Sequence, residues 1–174
     1  MTNRGYTLIE LIISVGLFAL IMTLTSGAYF VMIDINRQTQ GITAGINDLS
    51  FALETMMRSI RTGVGYACNG SGDCENGGGN FSFTDSRGDD ISYSLDVPSS
   101  AIQETVNGAA PVPLTDASAV NVTSLTFYVF GTSKTDNAQP HVTITISGTI
   151  DPGRGKPPEP FTVETGATMR GADL

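Results

Sequence analysis

Hydrophobic and polar positions divide the chain into three unequal stretches. From Leu11 to Ile33 there are 23 consecutive residues with no charge and no proline. At about 1.5 Å rise per residue, a helix over that run reaches roughly 34 Å, enough to cross a bilayer's hydrocarbon core. Beyond Ile33 the pattern changes. Ile35, Ile42, Ile46, Leu49, Leu53, Met56 and Ile60 form one apolar stripe on an otherwise polar helix, which needs a surface to cover it. The simplest cover is the chain's own globular domain, because sustained heptads with paired charges, the mark of a coiled coil, are not seen. Gly41 and Gly45 each weaken a helix by about 1 kcal/mol relative to alanine, which predicts a local bend. One helix from about Tyr6 to Arg61 would be roughly 84 Å long.

After Gly63 the period becomes two. Cys68 to Asn80 is dense in Gly, Asn and Ser and predicts loop. Short strands are predicted at Phe81–Phe83, Ile91–Leu95, Val120–Phe130, His141–Ile150 and Phe161–Ala167. Val142, Ile144 and Ile146 alternate with Thr143, Thr145 and Ser147, giving one buried and one wet face. In Val120–Phe130 the alternation slips around Thr123 and Ser124, which predicts a bulge. The expected class is α+β, with a long helix laid against an antiparallel sheet.

Composition narrows the partners. Nine basic residues stand against seventeen acidic ones, for a net charge of −8, and no run of Lys or Arg forms a patch. Nucleic-acid binding depends on such patches, so none is expected. No catalytic residue, cofactor or metal centre is predicted: there is no Ser-His-Asp spacing, no phosphate-cradling glycine loop and no ligand cluster. Asp73, Glu75, Asp85, Asp89 and Asp90 could ligate calcium but miss the EF-hand spacing, and a solvated loop explains them better. Cys68 and Cys74 lie in the Gly/Asn-rich stretch with the sole histidine, His141, far off in sequence; in an exported chain they predict a disulfide. Arg58 and Arg61 share a helix face, and solvation is their simplest role.

The N-terminus is the most specific part. Arg4-Gly5-Tyr6-Thr7-Leu8-Ile9-Glu10-Leu11 places a basic leader ending in glycine ahead of the apolar run, with one acid at its leading edge. A secretory signal peptide has its cleavage site behind the apolar segment, whereas here the candidate site lies before it, so the segment would survive processing. This arrangement resembles the type IV prepilin signature. The resemblance implies peptidase cleavage between Gly5 and Tyr6, N-methylation of Tyr6, and pairing of Glu10 with the freed amine of Tyr6 on a neighbouring subunit. Tyr6 stands where the family most often has Phe. Loss of the leader with Arg4 would take the net charge from −8 to −9. Leu53-Glu-Thr-Met-Met-Arg58-Ser-Ile-Arg61 and the later strand patterns also resemble J-type minor pseudopilins of type II secretion and related minor pilins.

The expected organisation is a leader over 1–5, a transmembrane or filament-core helix over 6–34, its amphipathic continuation over 35–62, and an exported β-rich domain over 63–174. The thin positive-inside bias points to a cytoplasmic N-terminus. The resemblance implies a structural subunit of a type IV pilus or type II secretion pseudopilus, in an assembly-priming tip complex. Its partners would be other pilin or pseudopilin subunits, the prepilin peptidase, the inner-membrane assembly platform and the lipid bilayer. Two alternatives stand beside it: a pilus-borne adhesin or DNA-uptake subunit, and a signal-anchored exported domain with no filament.

Overall fold

The computed structural model describes residues 5–133, 138–153 and 155–170. Residues 1–4, most of the expected leader, lie outside them, as does Arg154. Among the described residues one α-helix is followed by nine strands. Helix α1 spans Leu8–Thr62, 55 residues and about 82 Å, without interruption. The strands are β1 (Val64–Cys68), β2 (Cys74–Gly78), β3 (Asn80–Thr84), β4 (Asp90–Asp96), β5 (Ala101–Val106), β6 (Val112–Pro113), β7 (Val120–Phe130), β8 (His141–Ile150) and β9 (Glu159–Thr168). The architecture is the α+β, pilin-like one, with the strands divided between two antiparallel sheets rather than collected in one. Their orders are β1-β3-β4-β5-β6 and β2-β7-β8-β9.

The helix seats its second half on the domain. Gly45, Leu49, Ala52, Met56 and Ile60 are buried, and Leu53 packs at the edge of the same core. Ile35 and Ile46, expected on that stripe, are instead exposed. A straight helix drifts about 20° per heptad against a strict seven-residue repeat, so Ile35, three heptads before Met56, has turned well away from the sheet. Gly41 and Gly45 do not interrupt the helix. They are contact points: a Cβ on Gly41 would lie 2.6 Å from the Pro152 carbonyl oxygen, and one on Gly45 would lie 2.6 Å from Ile150 Cγ2. Glycine lets the start of the β8–β9 connection and the end of β8 come close to the helix backbone at these two places.

The core fills the space between α1 and the inner faces of both sheets. Phe127 of the four-stranded sheet stacks on Phe81 of the five-stranded one at 5.4 Å, and Tyr66, Phe83 and Tyr93 extend the aromatic cluster. Val142, Ile144 and Ile146 are fully buried, as the period-two pattern demands. The slip at Thr123 is a bulge: Val122 pairs with Gly148 and Ser124 with Ser147, so β7 carries one residue more than β8. At the helix end, Gly63 N–H (3.0 Å) and the Tyr66 hydroxyl (2.5 Å) both donate to the Ile60 carbonyl, and Arg170 N–H donates to that of Arg61. These bonds satisfy carbonyls that a helix terminus leaves without intrahelical partners.

The stretch predicted as loop contains β2. Its glycines serve close approach within a strand: a Cβ on Gly78 would collide with Cys68 Sγ. Cys68 and Cys74 are joined by a disulfide with Cα atoms 5.9 Å apart. Because Cys68 ends β1 and Cys74 begins β2, the bond ties one sheet to the other. Strand β5, which alternation does not reveal, lies between β4 and β6.

Candidate assembly site at the N-terminus

From Leu8 to Met32 every residue of α1 is exposed, and no residue of its most apolar window is buried. Among the described residues this is the one helix long and apolar enough to cross a membrane. Its Ser and Thr hydroxyls are satisfied internally. Ser14 Oγ donates to the Glu10 carbonyl (2.7 Å), Thr23 Oγ1 to Leu20 (2.8 Å) and Ser26 Oγ to Met22 (2.8 Å). A polar group without a partner is costly in hydrocarbon, so this back-bonding makes the polar residues of the run compatible with lipid.

Thr7 is the N-cap of α1. Its Oγ1 accepts the Glu10 N–H at 3.4 Å, and Glu10 Oε2 reaches back to the Thr7 N–H at 3.5 Å, completing a reciprocal capping box. The spacing Thr7-x-x-Glu10 carries that signal in the sequence, and hydropathy alone passes over it. The same carboxylate also meets Thr7 Oγ1 at 3.5 Å. These bonds are long, at the weak limit for hydrogen bonding, so the helix holds Glu10 in place without engaging it strongly. Gly5 and Tyr6 precede the helix as exposed, non-helical residues. Within one chain, therefore, Gly5, Tyr6 and Glu10 lie together at one helix end, and the carboxylate contacts the backbone one residue beyond Tyr6.

Residues 1–26 match the family model described as the prokaryotic N-terminal methylation motif. The chain is type IV prepilin-like. No curated protein and no solved structure matches it. In this prepilin-like chain the matched motif covers the stretch expected to be a leader, the helix cap and most of the exposed apolar helix.

The other candidate residues fall outside this site. Asp73 accepts the Thr132 N–H at 2.9 Å. Burial pushes its pKa up, but hydrogen bonds from Thr132 and Gly131 outweigh that and hold it below the ordinary carboxylate value. Asp85 accepts the N–H groups of Asp89 and Arg87, Asp89 accepts from Asn107 Nδ2, and Asp90 accepts from Thr84 Oγ1. Asp73, Asp85, Asp89 and Asp90 thus accept hydrogen bonds from the chain itself, Glu75 stands exposed on β2, and no metal-holding group of His, Cys, Asp or Glu occurs among the described residues. Arg58 pairs with Glu54 at 2.8 Å on the exposed helix surface. With Arg61 and Arg170 it borders a shallow groove of about 450 Å³ over Leu53 and Met57.

Proposed function

We propose that this protein is a minor pilin or pseudopilin, a structural subunit of the priming tip of a type IV pilus or type II secretion pseudopilus. The observation that carries the reading is the pairing of a methylation motif with an apolar helix left wholly uncovered by its own domain. Such a helix has to be held in lipid or against other helices. The bilayer stores the subunit, and cleavage between Gly5 and Tyr6 releases an amine beside Glu10. A neighbour's carboxylate and that amine neutralise one another as the helix moves from lipid into the filament core. An unpaired charge is costly in hydrocarbon, so the pairing favours transfer. The capping box supports this reading because it presents Glu10 at the helix end while leaving it only weakly bonded. The amphipathic continuation then holds the exported domain outside the core.

Mass spectrometry of the mature protein tests the reading first. The expected N-terminal residue is methylated Tyr6, and a mature chain beginning at Met1 would overturn the proposal. Glu10→Ala is expected to leave folding and cleavage intact while reducing recovery in sheared filaments. Unchanged incorporation would remove the charge-pairing step.

A further inference from the structure

The connection between β8 and β9 reaches from the globular domain to the end of the apolar run. Its root, Pro152, sits against Gly41. Its far end is held by Lys156, whose Nζ lies 2.8 Å from Asp34 Oδ2. Asp34 is the first charged residue after the apolar run, directly following Ile33. If Leu11 to Ile33 occupies the hydrocarbon, the backbone of Asp34, which Lys156 pairs with, lies about 1.5 Å along the helix beyond its edge, while Gly41 stands about 12 Å beyond it. A headgroup layer is roughly 5–8 Å thick, taken from the difference between total and hydrocarbon bilayer thickness. The connection therefore crosses the depth at which headgroups lie.

Its chemistry suits that depth. Lys156 is only partly exposed and has three N–H donors, of which Asp34 need engage one. Pro157 and Pro158 are exposed beside it. Arg37 stands almost one turn above Asp34, and Tyr29 and Phe30 occupy the last turn of the apolar run. Aromatic rings are enriched at both edges of a span, and a Lys or Arg beside them can carry its charge to the lipid phosphates.

We propose that Lys156, Pro157 and Pro158, with Arg37, form a lipid-headgroup contact that seats the globular domain on the bilayer while the subunit is stored. This rests on reading the apolar run as a membrane span. The Asp34–Lys156 pair fixes the connection at the membrane edge, and contact with lipid phosphates sets the tilt of the domain above it. Movement of the helix into a filament breaks the contact, so the domain is released from the surface in the same step.

The chain has no tryptophan, so single-tryptophan variants report one position each. Pro157→Trp, Phe130→Trp and Leu20→Trp would be made in the full chain. Each is reconstituted in phosphatidylethanolamine–phosphatidylglycerol vesicles containing headgroup-spin-labelled or chain-brominated phosphatidylcholine. Phe130 pairs with His141 at the opposite end of the β7–β8 hairpin, roughly 30 Å from the β8–β9 connection. The expected result is that headgroup label removes at least ~2-fold more emission from Pro157→Trp than from Phe130→Trp, as a surface-restricted quencher requires. Leu20→Trp should lose emission to chain bromines. Adding Lys156→Glu should abolish the excess quenching at position 157. Equal headgroup quenching at 157 and 130, with Leu20→Trp quenched by bromines, would overturn the surface contact alone. Leu20→Trp untouched by bromines would instead overturn the span reading beneath it.

Discussion

Gly41→Ala separates two accounts of the glycines in the second half of α1. If they only loosen the helix, alanine should stabilise it by about 1 kcal/mol. The structure predicts the opposite sign. A Cβ at Gly41 would lie 2.6 Å from the Pro152 carbonyl oxygen, 2.9 Å from its carbon and 3.1 Å from its Cα. All three are backbone atoms of a buried proline, so no side-chain rotation relieves the contact, and the β8–β9 connection has to move by most of an ångström. Overpacking of that kind costs about 1–3 kcal/mol; against the propensity gain, the expected net loss is about 1 kcal/mol. Gly45→Ala is the matched comparison. Its nearest contact is Ile150 Cγ2, the end of a side chain, although the Ala119 carbonyl oxygen at 3.2 Å limits how far it can adjust. It should come out nearer neutral. The assay is urea unfolding of the full chain in mild detergent, followed by near-ultraviolet circular dichroism of the buried tyrosines. A Gly41→Ala midpoint at or above that of the parent protein would refute the claim that glycine there serves close approach.

Reducing the Cys68–Cys74 bond should lower domain stability by about 2 kcal/mol, the loop-closure value for so short a ring; an unchanged urea midpoint under reductant would contradict it. Tyr93→Phe removes a hydroxyl that donates to Glu104 Oε1 at 3.0 Å and should cost about 1 kcal/mol in the same assay. Burial pushes the Tyr66 hydroxyl up to about 12. Its contribution to stability is complete below the ordinary tyrosine value of about 10 and is lost as pH rises from there through the folded value. Alkaline titration should therefore unfold the domain over that window, and Tyr66→Phe should flatten the slope. Gly148→Ala, whose Cβ would collide with the Asn121 carbonyl oxygen beside the bulge, should destabilise the β7–β8 pairing and shorten hydrogen-exchange protection there.

Much of this protein is written locally. An unbroken apolar run, the glycine before it and the single acid at its edge lie within neighbouring residues, so the sequence by itself determines the membrane-length helix and its N-terminal motif. Thr7-x-x-Glu10 is equally local, and it names the helix cap. Strands β7 and β8 are legible because each buries one face, which leaves a period of two in their residues. Other features depend on residues distant in sequence. β2 is made of Cys74-Glu-Asn-Gly-Gly, a turn composition that becomes a strand because β7 supplies its partner and because side chains cross closely over its glycines. The split into two sheets follows from which edges meet, and no strand carries that choice in its own pattern. Whether Gly41 breaks the helix or receives Pro152, and whether Asp34 faces water or Lys156, are settled by the return of a connection more than a hundred residues later. Periodicity records which face is buried, whereas only tertiary structure decides what buries it.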